Sequence, residues 1–171
     1  PRTPEVTWVA QANQFMVAWV DDRDGGHNLY GARVTAAGAN LDPNGVVLSS
    51  APAMQNEPAL ASDGTQALVA WSDARNQGTN GRDVYAAFFL PDGGVSPGAA
   101  TGFPIISLLS DQDQPAVAWN GSDYLVAWAD SREGRVPSKS WRVAFEAAED
   151  TSQLILQYLL LGMNAHINLD L

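Results

Sequence analysis

LVAWSDAR, residues 68–75, decides the fold, because the chain writes nearly the same phrase three times. The other copies are MVAWVDDR at 16–23 and LVAWADSR at 125–132. In each a Trp is followed two residues on by an Asp and two further on by an Arg. The three tryptophans, Trp19, Trp71 and Trp128, stand 52 and 57 residues apart. That period is longer than a helical repeat and suits a unit of four short strands.

The finer pattern within each unit agrees. A proline opens a short alternating segment in every copy, Pro4-EVTW, Pro58-ALAS and Pro115-AVAW. A polar turn follows (VAQANQ, DGTQ, NGSD), then the apolar strand that ends in the shared Trp, and the two strands read as an antiparallel hairpin. Beyond W-x-D-x-R comes a Gly/Asn-rich loop, then a third strand at 28–35 and at 83–90, in which Tyr30 and Tyr85 correspond. A second turn leads to a short fourth strand, VVLSS or FPIIS.

This phrase order resembles bacterial repeat proteins carrying P-x-V-A-W-x-G-x-x-Y-L-V-A-W-x-D-x-R followed by D-x-Y-G-A-R, read as β-propeller blades of secreted or surface proteins. The resemblance spans residues 4–135. It implies a mainly β protein with about two and a half four-stranded antiparallel blades: blade 1 about 4–50, blade 2 about 57–107 and a half blade at 114–132, within a repeat region 1–135. The third copy departs from the pattern after ADSREG, where no Tyr-bearing third strand follows. Two and a half blades do not close a ring. A longer parent, association of chains, or the remaining residues covering the open edge would each complete it.

From residue 141 the composition turns to Ala, Leu, Glu and Gln, and a C-terminal α-helical tail is expected over 141–171. Trp141, Phe145 and Ala148 fall on one helical face, and Asp150 with Gln153 has capping-box spacing. Residues 141–171 are similar to a segment of an uncharacterised helical bacterial family with the phrase L-L-G-M-N-A-H-I-N-x-D-L. Residues 136–140 are then a seam or linker between two unlike pieces. The opening PRTPEVTW, with no initiator Met or apolar leader, reads as a processed or excised product.

Bulk composition narrows the function classes. Nineteen acidic against nine basic residues give a formal charge of −10, which repels nucleic acid and anionic lipid. Cysteine is absent, so disulfides, thiolate nucleophiles and Cys-based zinc sites are excluded. The longest apolar run, LILQYLLLGM, is too short for a bilayer span and is interrupted by Gln157.

Trp19, Asp21 and Arg23, with their counterparts Trp71, Asp73, Arg75 and Trp128, Asp130, Arg132, share a strand face if the backbone stays extended. They could form repeated sugar pockets, an aromatic platform beside an Asp/Arg pair. The bland alternative, which regular reuse favours, is packing by Trp with Asp bound to the strand end or to Arg. Asp22 and Asp24, near His27, resemble part of an oxygen-rich calcium loop, although the sister loops do not repeat them. His166 and Asp170 would share a helical face and supply two ligands to a divalent transition metal, which is short of a site.

No nucleophile elbow, Walker loop, zincin motif or dinucleotide turn is present. The expectation is a non-enzymatic module without a cofactor, outside the cell or on its surface, binding protein or carbohydrate through its loops. Self-association would use the open blade edge or the apolar tail. The alternatives are a fragment of a metal-dependent hydrolase whose chemistry lies in the tail, and a fused or truncated product without evolved function.

Overall fold

A computed structural model describes residues 1–98, 102–131 and the strand at 140–147. The protein is mainly β and its sheets are antiparallel. Sheet I has the order β1(Arg2–Val9), β2(Gln14–Asp21), β3(Asn28–Thr35), β4(Val46–Ser49). Sheet II runs β5(Gln55–Ser62), β6(Ala67–Asp73), β7(Asp83–Phe89), β8(Val95–Ser96), with β9(Phe103–Ile106) also paired to β7. Sheet III consists of β10(Gln112–Trp119), β11(Asp123–Asp130) and β12(Ser140–Ala147).

The central strands are continuous apolar runs, FMVAWV at 15–20, ALVAW at 67–71 and YLVAWA at 124–129, closed by turns that absorb their own polar groups. In the β5–β6 turn, Asp63 Oδ1 accepts from the backbone N–H groups of Thr65 at 2.7 Å and Gln66 at 2.9 Å. In the β10–β11 turn, Asn120 Oδ1 accepts from those of Ser122 and Asp123, both at 2.8 Å. Such side-chain mimicry of a turn is what makes short hairpins of these sequences.

The first strands begin ahead of the prolines expected to open them, at Arg2, Gln55 and Gln112. Register slips between Arg2 and Glu5, between Asn56 and Ala59, and between Asp113 and Ala116. At each slip the residue before proline has positive φ: Thr3 at 49°, Glu57 at 54° and Gln114 at 52°. Proline has no N–H to give the ladder, so the chain bulges there and resumes pairing one residue beyond.

The repeats also share register. Trp19 lies opposite Tyr30 and Trp71 opposite Tyr85, with Asp21 opposite Asn28 and Asp73 opposite Asp83. In sheet III, Trp128 lies opposite Arg142 and Asp130 opposite Ser140. Residues 141–147, expected as helix, are therefore strand, and the third unit does not stop at two strands. Ala- and Glu-containing SWRVAFEA favours helix by local propensity, but the unpaired edge of β11 offers a ladder in the register used by β3 and β7. The rest of the expected tail, 148–171, lies outside the described residues.

The sheets stack face to face. Met16, Ala18, Val20, Leu29 and Leu48 of sheet I pack on Val69, Trp71, Ala87 and Phe89 of sheet II. The opposite face of sheet II, with Leu68, Ala70, Val84 and Ala86, packs on Tyr124, Val126 and Trp128 of sheet III. Sheet II is thus apolar on both faces, as a middle layer must be. The first strands of successive sheets, β1, β5 and β10, lie closest to one another. Tyr124 adds a polar tie, its hydroxyl accepting the Asp63 N–H at 3.0 Å.

Candidate functional site

The repeated triplet folds into one clasp at the end of each central strand. In sheet II the Trp71 indole N–H donates to Asp73 Oδ2 at 2.8 Å. Arg75 turns back onto the same carboxylate, with Nη2 2.6 Å from Oδ2 and Nε 2.9 Å from Oδ1, while its backbone N–H reaches Oδ1 at 2.9 Å. The guanidinium then lies over the Tyr85 ring, 3.8 Å from its centroid. Sheet I repeats this: Trp19 Nε1 is 2.9 Å from Asp21 Oδ2, Arg23 Nη2 is 2.5 Å from it, and Arg23 lies 4.4 Å from the Tyr30 centroid.

Glycines complete the clasp by lying against the indole. A Cβ built on Gly45 would lie 3.1 Å from Trp19, and one on Gly102 would lie 2.8 Å from Trp71. Both residues have positive φ, and each directly precedes a strand paired to the third strand of its sheet, β4 and β9. In the first two units the Trp and Asp lie two apart on one strand, and the Arg, beyond the strand end at Asp21 or Asp73, turns back onto that Asp. Their partners, however, are each other, the next strand's Tyr and the backbone, which uses up the groups a repeated sugar pocket would need.

The third clasp differs. Trp128 and Asp130 are buried, but the Trp128 indole N–H has no partner among the described residues. Arg132 lies outside the described residues, as do His166 and Asp170.

The suggested calcium loop is taken up by protein contacts. Asp22 pairs with Arg2 at 2.5 Å and lies 3.5 Å from His27 Nε2. Asp24 accepts the Tyr30 hydroxyl instead. Calcium would have to displace Arg2 from one carboxylate and Tyr30 from the other. Among the described residues no three His, Asp or Glu side chains are grouped to hold a metal.

A polar seam that the triplets did not announce joins sheets II and III at the same end. Arg82 bridges Asp113 at 2.8 Å and Asp111 at 3.3 Å, and Ser72 donates to Asp113 Oδ1 at 2.8 Å. Glu57 Oε2 accepts the backbone N–H of Gln114 at 3.0 Å, linking the bulges of the two sheets. Arg82 and Asp111 remain 34% and 40% exposed, so the seam presents a cation and a carboxylate to solvent. Asp113 is pushed above the ordinary carboxylate range because burial outweighs Ser72 and Arg82.

Two buried glutamines hold the loops beneath the seam. Gln55 donates to the carbonyls of Ala51 and Ala53, both at 3.0 Å, and Gln112 to those of Ser110 at 2.8 Å and Leu109 at 3.3 Å. The backbone N–H of Gln55 reaches His27 O and that of Gln112 reaches Arg82 O. The repeated Q-x-x-P spacing, QNEP and QDQP, is the signal that could have found them.

Residues 118–171 match a family of unknown function (DUF5995). The matched stretch begins at the end of β10, takes in β11 and β12, and runs across 136–140. No curated protein matches the chain.

Asp73→Ala would leave the Trp71 N–H and the Arg75 guanidinium without their carboxylate in a buried setting. A loss of about 3–5 kcal/mol is expected from urea unfolding, since breaking one side of a buried pair strands the other. A second prediction concerns acid. Asp42 is held below the ordinary carboxylate value of 3.8 by hydrogen bonds from Arg33, partly opposed by burial. A depressed carboxylate contributes stability above its unfolded pKa and loses it as pH falls through the folded one. Urea midpoints should therefore fall more steeply below pH 3.8 in the native protein than in Asp42→Asn.

Proposed function

We propose that the chain is a non-enzymatic repeat module, part of a β-propeller of an extracellular or surface protein, which binds protein or carbohydrate through the loops at the clasped end of its sheets. One observation carries this reading. The Trp–Asp–Arg–Tyr clasp is used identically in sheets I and II, where its polar groups satisfy one another, whereas the loops beyond it differ in sequence and partners. Rigid sheets bearing unlike loops are the usual division between scaffold and recognition surface.

Within that surface the seam of Arg82 and Asp111 is the best-suited group for hydroxyls or a peptide. It offers guanidinium donors and carboxylate acceptors on residues held by the backbone, Arg82 by its N–H to Asp111 at 2.9 Å. Sugars are recognised by such paired donors and acceptors, and their neutrality suits an acidic protein. Among the described residues no helix is long and apolar enough to cross a membrane.

A glycan array and a screen of immobilised extracellular peptides test the reading. A ligand found there should bind at least tenfold more weakly to Arg82→Ala/Asp111→Asn, about 1.4 kcal/mol or more, measured on protein that circular dichroism shows to be folded, because the same change removes a tie between sheets II and III. Binding unchanged in that variant would remove the seam from the site, and no ligand in either screen would contradict the binding role.

A further inference from the structure

We propose that the open face of sheet I receives the far face of sheet III from a second copy of this chain, so that copies associate head to tail. The inference concerns the sheet faces and stands independently of any ligand for the loops.

Each sheet has a Trp face and a far face, and both interfaces within the chain join unlike ones. The Trp face of sheet II covers the far face of sheet I, and the Trp face of sheet III covers the far face of sheet II. Among the described residues two faces have no sheet against them: the Trp face of sheet I and the far face of sheet III. They are complementary members of the same set.

The Trp face of sheet I is exposed where its counterparts are covered. Trp8 and Phe15 pair across β1 and β2 with ring centroids 4.7 Å apart, and they are 39% and 40% exposed, next to Val6 at 59%. The equivalent pair in sheet III is Trp119 and Tyr124, also 4.7 Å apart. There Tyr124 is buried, with Phe88 of sheet II 6.1 Å away. The same aromatic pair is thus seen both with its neighbouring sheet and without one, which shows the kind of surface that covers it.

That kind of surface recurs on the far face of sheet III. Leu125 and Ala127 of β11 occupy the places of Leu68 and Ala70, and of Met16 and Ala18, in the repeated phrase. Ala118 lies opposite Leu125 and Ala116 opposite Ala127, and both alanines are exposed. On β12, Phe145 and Val143 lie opposite Leu125 and Ala127, as Phe88 and Ala86 lie opposite Leu68 and Ala70 in sheet II, so this face repeats the cross-strand pattern of the one that already receives a Trp face. The contact is therefore heterologous, and such contacts build rings or open chains rather than isologous dimers. Copies carrying a charge of −10 repel, so added salt should strengthen the association.

Sedimentation velocity on the full chain, from about 1 to about 100 µM where modest apolar interfaces associate, tests the proposal with two variants. Trp8→Glu/Phe15→Glu blocks one end and Ala116→Glu/Ala118→Glu the other; circular dichroism confirms that each still folds. The native chain should form dimers and larger species with rising concentration, each variant alone should stay monomeric, and an equimolar mixture should give a dimer and nothing larger. A native chain monomeric throughout would overturn the proposal. If Trp8 were then protected from hydroxyl radicals, residues 148–171 of the same chain would be the occupant. Variants that both self-associate, or a mixture that stays monomeric, would equally refute the head-to-tail contact.

Discussion

The whole arrangement depends on covering both faces of sheet II. A strand alternates its side chains between two faces, yet β6 is apolar at Leu68, Val69, Ala70 and Trp71 in succession, and all four are buried. Such a strand needs both of its faces covered. Burying an apolar side chain contributes about 1.5–3 kcal/mol, and the two clusters that flank sheet II hold most of the large buried groups of the described chain. Sheets I and III each cover one side of it and, among the described residues, each has one face without a sheet.

Within that stack the clasp solves a local problem at the edge of the core. Trp71 is fully buried and carries a polar N–H, which would be costly without an acceptor. Asp73 supplies the acceptor, but a buried carboxylate needs a cation in turn, and Arg75 returns to it from the loop. Stacking on Tyr85 covers the guanidinium and ties the loop to the third strand. The sequence W-x-D-x-R with a Tyr on the next strand is the shortest chain path that closes this circuit, which accounts for its repetition without invoking a ligand.

Much of this was legible from the residues. The apolar runs, turn residues and shared phrase place the second and third strands and the short VVLSS and FPIIS strands to within a residue or two, and regular reuse of the triplets favours a packing role. Three features were hidden for physical reasons. Residues 141–147 have helical propensity, and only the register of β11 makes a strand of them. The bulges at Thr3, Glu57 and Gln114 lie in the backbone, and a proline read as a strand start disguises them. The seam joins residues far apart in the chain, Ser72 and Arg82 with Asp111 and Asp113, so no local spacing signals it. Its carboxylates lie outside the repeated phrase, which drew attention to Asp21, Asp73 and Asp130 instead.

Amide hydrogen exchange, read peptide by peptide, tests most directly whether the middle sheet is the covered layer. Backbone amides of β6 and β7 should exchange slowest, with those of β1 orders of magnitude faster because its outer face meets solvent. Equal protection of β1 and β6, or rapid exchange across residues 67–73, would contradict a three-sheet stack with sheet II at its centre.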